Sequence, residues 1–88
     1  MRVKEVKYLG DYRLGLLFRT GEKREVDLRP YVGDGEVFIP LIDLEYFKKV
    51  RIDDSELTIC WPNGADFCPD ILWKISKASS QGIEIKSN

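Results

Sequence analysis

The chain has 88 residues, 43% hydrophobic and 11% aromatic, which is enough apolar material for one small folded domain and too much for a disordered chain. A domain of this size buries roughly 60–65% of its unfolded surface. Fourteen basic residues against fifteen acidic give a formal charge of −1, which argues against a dedicated non-specific nucleic-acid binder, because such proteins carry a clear basic excess.

Met1-Arg2-Val3-Lys4 opens a charged, alternating segment, so neither a signal peptide nor a membrane span is expected. Val3 to Leu9 alternates well enough for a strand, with Val6 and Tyr8 on one side, and Gly10-Asp11 breaks it. Tyr12 to Phe18 is the clearest strand of the first half, with Tyr12, Leu14, Leu16 and Phe18 along one face. Arg19-Thr20-Gly21 then reads as a three-residue loop ending in glycine. That loop brings Val26 opposite Leu14 and Leu28 opposite Tyr12, while Glu25 and Asp27 point away, beside Arg13 and Leu17. A three-stranded antiparallel meander follows.

Arg29 to Pro40 is a long connection with two glycines and two prolines. A helical turn around Pro30-Tyr31-Val32 and an irregular return are expected, with Tyr31, Val32, Val37 and Phe38 tucked inward. Asp43 can cap a short helix from Leu44 to about Lys49, with Leu44 and Phe47 on one face and Lys48-Lys49 near its negative end. Val50 and Ile52 alternate around Arg51 as a brief strand, and Asp53-Asp54-Ser55 turns the chain.

Leu57 to Phe67 forms the central hairpin. Pro62 and Asn63 suit the corners of a type I turn and Gly64 the left-handed residue after it, so Trp61 faces Ala65, Cys60 faces Asp66 and Ile59 faces Phe67. Leu57, Ile59, Trp61, Ala65 and Phe67 then share the core side, and Thr58, Cys60, Asp66 and Cys68 the other. A two-residue Asn-Gly turn would swap the faces, so hydrophobic alternation selects the first register. Pro69 and Asp70 start a helix with Ile71, Leu72, Ile75 and Ala78 as its apolar stripe and Gly82 as its stop. The expected architecture is α+β: one domain over residues 1–82, an antiparallel sheet of five or six strands made of the meander and the late hairpin, one face covered by the two helices. Residues 83–88 form a short tail or edge strand.

Leu14-Gly15-Leu16-Leu17-Phe18 with Gly21-Glu22 and Val26-Asp27-Leu28, then Leu41-Ile42-Asp43 and Phe47, Trp61-Pro62-Asn63-Gly64-Ala65-Asp66-Phe67 and Pro69-Asp70-Ile71-Leu72-Trp73 together resemble the bacterial domain-of-unknown-function 2442 family (DUF2442). The resemblance covers nearly the whole chain except its tail, and the tryptophan-proline-turn-glycine-x-aspartate string is its most specific part. It implies a small α+β domain, alone or fused to a helix-turn-helix segment, and no such segment is expected within these 88 residues. It also implies members encoded beside another short protein in a toxin–antitoxin-like arrangement. No catalytic residue is carried over.

Catalytic chemistry finds little purchase in the residues themselves. Cys60, Asp66 and Cys68 share a face, but there is no histidine, and a structural zinc site would need a fourth ligand such as Glu56. Reduced thiols are expected, with no metal and no cofactor. Asp27 and Asp66 lack the enclosing cleft that acid–base catalysis needs, and Asp66 is expected to accept backbone hydrogen bonds at its turn. Neither a GxSxG elbow nor a phosphate loop occurs. Tyr46 to Arg51 mixes aromatics and bases as single-strand binders do, but the stronger reading is that Phe47 packs inward and the cations decorate a helix end.

Trp61 is expected in the core, and Trp73, one step off the helix stripe, at its edge or on a partner surface. The function expected is a non-catalytic protein-interaction module in the cytoplasm, binding another protein or a second copy of itself, with nucleic-acid adaptor as the alternative. Candidate contact residues are Trp73, Leu17, Lys48, Lys49 and Arg51, with Leu17 and Val3 on the side the helices leave bare.

Overall fold

A computed structural model describes residues 2–78 of the protein. The first half is the expected meander: β1 (Val3–Gly10), β2 (Arg13–Phe18) and β3 (Lys23–Asp27), paired antiparallel. Leu14 pairs with Val26, and the Leu28 amide donates to the Tyr12 carbonyl, as the loop argument requires. Two loops share one geometry. The Gly21 amide donates to the Phe18 carbonyl and the Phe18 amide to the Glu22 carbonyl; the Gly64 amide donates to Trp61 and the Trp61 amide to Ala65. Gly21 and Gly64 have φ of 93° and 91°, a region that penalises any Cβ.

After β3 come a 3₁₀ helix (Glu36–Ile42), α1 (Leu44–Phe47), β4 (Arg51–Asp53), β5 (Thr58–Cys60), α2 (Pro69–Ile75) and β6 (Lys77–Ala78). The Asp43 carboxylate accepts the Glu45 amide at 3.0 Å and caps α1. The strands divide into two antiparallel sheets rather than one: β1-β2-β3-β6, and β4-β5. A hydrogen bond from the Val3 amide to the Leu57 carbonyl joins them. Leu57 belongs to the turn, at φ 55°, and not to the strand.

Leu14, Leu16, Phe18, Val26 and Leu28 from the meander face Phe47, Ile59, Trp61, Ala65, Phe67 and Leu72 in one core. Phe47 lies 5.6 Å from the Trp61 ring and 5.3 Å from Tyr12, and the Trp61 indole N–H donates to the Phe47 carbonyl at 2.9 Å. Both α helices therefore sit on the same side of the meander.

Four expectations are corrected. Val3 is fully buried, because an extra residue between Val3, which pairs with Phe18, and Glu5, which pairs with Leu17, shifts the phase of β1 and turns Val3 to the core side. Thr58 and Cys60 are buried as well; the Thr58 hydroxyl donates to the Phe67 carbonyl, so the second side of the hairpin is packed too. The C-terminal helix ends at Ile75, and its stripe is Leu72 and Ile75, with Ile71 turned outward and Ala78 in β6. Val37 is exposed. The Gly82 stop and the Ile83-Glu84-Ile85 strand lie outside the described residues.

The cause of the early stop is Arg24. From the core side of β3 its guanidinium donates to the Ser76 carbonyl and hydroxyl, each at 2.7 Å, and lies 4.2 Å over the Trp73 ring. A cation at a helix C-terminus satisfies carbonyls that the helix leaves open. Ser76 turns extended, and Lys77 and Ala78 pair with Glu25 and Arg24.

Candidate interaction surface

The five sequence candidates do not form one patch. Trp73 is half-buried, edge-on to Phe18 at 5.1 Å and under Arg24, so it serves the core edge. Lys48 pairs with Glu45 at 3.3 Å and reaches over Tyr8, while Lys49 reaches over Tyr46. Arg51 is exposed on β4. Leu17 lies on the opposite face of the meander from all of these, because β2 turns Leu14, Leu16 and Phe18 toward the helices. Phe18, beside Trp73, is four residues along β2 from Leu14, the partner of Tyr8, so Trp73 and Lys48 stand about 13 Å apart along the sheet.

The chemistry-bearing residues are also dispersed. Cys60 is buried and Cys68 exposed, both as free thiols, and among the described residues no group of three metal-ligating side chains comes together. Asp27 accepts the Arg29 amide at 2.9 Å. At the central turn the acceptor is Asn63, which takes the Ala65 amide at 3.1 Å, and Asp66 is exposed. A depression of about 410 Å³ between β1 and the β4–β5 turn gathers Lys4, Arg19 and Asp54, all exposed, without the burial that tunes a catalytic group.

A different surface stands out. Val37, Ile39 and Ile42 are 48%, 53% and 52% exposed, and all three belong to the 3₁₀ helix. Three residues per turn explain the arrangement, since positions i and i+3 eclipse. Phe38 and Leu41 share the inward side, Phe38 stacking 5.1 Å from Phe67, and Ile39 and Ile42 share an outward one, with Val37 and Pro40 on a third. The ridge is held at several points. The Asn63 side-chain amide donates to the Val37 carbonyl, the Tyr12 hydroxyl to the Ile42 carbonyl, and the Gly33 amide to the Phe38 carbonyl.

Its rim is acidic. Asp34, Glu36 and Asp43 are exposed, Glu45 is paired with Lys48, and no lysine or arginine occurs from residue 30 to residue 47. Sequence reasoning missed this surface because it placed Val37 inside; the lack of basic residues across this stretch was the one legible signal.

Comparison with known proteins covers most of the chain. A sequence model described as "Protein of unknown function (DUF2442)" matches residues 3–78. The chain belongs to the DUF2442 family. No curated protein matches it. Among solved structures, this DUF2442 chain is similar to "Putative DNA Binding Protein NE0471 from Nitrosomonas europaea ATCC 19718", with a TM-score of 0.75 and 28% identity over 92% of the chain. It spans 50% of that protein's length, so the likeness concerns half of the Nitrosomonas molecule. Among the described residues, no helix of this chain is long and apolar enough to cross a membrane.

Proposed function

We propose that this DUF2442 chain is a non-catalytic protein-interaction module whose docking surface is the Val37–Ile39–Ile42 ridge. The carrying observation is that three of the four large exposed aliphatic side chains among the described residues lie on one seven-residue element, pinned by Tyr12 and Asn63. Pinned apolar residues inside a polar rim suit recognition, because little ordering entropy is lost on binding. The acidic rim selects the partner's chemistry: an apolar segment flanked by lysine or arginine, such as the face of a basic amphipathic helix. A short protein encoded beside this one, in the toxin–antitoxin-like arrangement that the resemblance implies for some family members, is the first candidate to test.

The test uses a short leucine–lysine amphipathic peptide and its glutamate counterpart, followed by amide chemical shifts of the labelled protein. The lysine peptide is expected to move residues 33–43, with binding weakened by salt and abolished by Ile39→Asp. Shifts scattered over the surface, or equal response to the glutamate peptide, would reject the ridge.

The second reading is a nucleic-acid-associated adaptor, favoured by the name of the Nitrosomonas neighbour. The balanced charge weighs against a broad phosphate-binding face on this domain and favours a contact made through an attached or partner segment. A salt-sensitive mobility shift of short DNA by the isolated chain would favour direct binding instead.

A further inference from the structure

The Val37–Ile42 ridge offers a partner side chains and little else. Its Val37 carbonyl accepts from the Asn63 side-chain amide, Phe38 from the Gly33 amide, Pro40 from the Asp43 amide and Ile42 from the Tyr12 hydroxyl. Pro40 has no amide to give. A segment docking in an extended conformation finds no ladder here, and its own amides and carbonyls would lie unpaired against apolar side chains. A helix satisfies its backbone internally and brings only side chains to the contact.

The spacing of the ridge fits such a helix. Three residues per turn set Val37 and Pro40 in one straight row and Glu36, Ile39 and Ile42 in another, with about 6 Å of rise between successive members. Four residues of an α-helix advance by about the same 6 Å. Side chains at i and i+4 can therefore settle into the furrow between the two rows. Because an i, i+4 row slants about 26° to its own axis, the helix crosses the ridge at roughly that angle.

The charges around the ridge are not symmetric. At its C-terminal end the Asp43 carboxylate accepts the Glu45 amide, and Glu45 is paired with Lys48 at 3.3 Å. At its N-terminal end Glu36 opens the row that Ile39 and Ile42 continue, and Asp34 lies two residues before it. Both are exposed, and neither joins an ion pair among the described residues. Resting on the ridge as the docking surface, we infer that it takes an α-helix of the partner, with aliphatic residues at i and i+4 seated between the two rows and lysine or arginine at the Asp34–Glu36 end.

Amide-shift titration of the labelled full chain with two leucine–lysine peptides of about 18 residues, long enough for an isolated helix to form in water, tests this. One has leucines at helical spacing. The other is identical except that a mid-chain lysine on the polar face is replaced by proline, which breaks the helix and leaves every leucine in place. The helical peptide is expected to move residues 33–43 and to bind at least about tenfold more tightly than the proline peptide. The double variant D34N/E36Q should weaken its binding about fivefold. Asp43→Asn, which keeps a capping side chain, should change it by less than about twofold. The amide spectrum of each variant, substituted at exposed positions, reports its folding. Equal binding of both peptides at residues 33–43 overturns the helix and leaves the ridge standing, whereas no response there to either peptide removes the ridge and the helix with it. A loss in Asp43→Asn as large as in the double variant overturns the placing of the cations.

Discussion

Arg24→Met tests what ends α2 and holds the last strand. Methionine keeps much of the aliphatic stem beside Trp73 but removes the guanidinium, which donates to the Ser76 carbonyl and hydroxyl at 2.7 Å and lies 4.2 Å from the indole. The side chain is only 16% exposed, so water replaces these bonds poorly. Hydrogen bonds to a charged group contribute about 1.5–3 kcal/mol net and a cation over tryptophan about 0.5–2 kcal/mol. Because the bonds share one guanidinium they do not add, and a cost of about 2–4 kcal/mol is expected. For a domain whose total stability is roughly 5–10 kcal/mol, that lowers Tm by roughly 10–25 °C. Urea unfolding of Arg24→Met, Ser76→Ala and the double variant gives the coupling directly, and about 1 kcal/mol or more is expected between the two sites. A loss below about 0.5 kcal/mol for Arg24→Met would mean that Leu72, Ile75 and the Phe18–Trp73 contact hold α2 without the latch.

Three further outcomes are expected. Trp61→Phe removes the indole donor to the Phe47 carbonyl and leaves a void among Phe47, Phe67 and Ile59, costing about 2–3 kcal/mol by urea unfolding; an unchanged midpoint would place the indole outside the packed centre. Gly33→Ala sets a Cβ 2.9 Å from the Ile42 tip at a φ of 83° and should cost about 1–2 kcal/mol; because the strain is mainly in the backbone, most of the loss should persist in a Gly33→Ala/Ile42→Ala double variant, and full recovery there would contradict it. The Asp53 carboxyl is held below its ordinary range, first by the Ser55 hydroxyl, then by the Ser55 and Glu56 amides with a smaller contribution from Arg51. A lowered folded-state value stabilises the fold above the ordinary aspartate value of about 3.9, and that contribution is lost as pH falls through the folded one. Carboxyl-carbon titration should therefore show Asp53 moving upward in Ser55→Ala, and coincident curves would contradict the assignment.

How much of this was legible depends on the range of the interactions. The two glycine-ended loops and the Asp43 cap act over a few residues, so their consequences, Leu14 beside Val26 and Trp61 beside Ala65, could be read from order and alternation alone. The stop after Ile75 could not, because neither glycine nor proline marks it; its cause is a strand residue 52 positions earlier. Burial of Val3 escaped because the extra residue after it breaks the alternation of β1, and burial of Thr58 and Cys60 because it depends on distant elements. Alternation tells which faces differ, but it does not tell that β5, with the Thr58 hydroxyl bonded to the Phe67 carbonyl, is packed on both of them.

The exposed ridge was hidden by its own composition. Val37, Phe38, Ile39, Leu41 and Ile42 form a nearly unbroken apolar run, and such a run gives no period from which to choose an outward face. An α-helical or extended reading sends most of it inward, whereas a three-residue turn sends Phe38 and Leu41 in and forces Ile39 and Ile42 out. Pro40 gives no such cue, since it denies an amide to an α-helix as to any ladder. What fixes the tighter winding is tertiary: Phe38 must reach Phe67, and Asn63 and Tyr12 must reach the carbonyls at the two ends. Removing Asn63 should therefore loosen the Val37 end while leaving the Ile42 end in place. In Asn63→Ala, hydrogen exchange is expected to accelerate at the Phe38 amide more than at the Asp43 amide. Uniform acceleration along the element would show that it is held as one piece by Phe38 and Leu41, with the polar ties incidental.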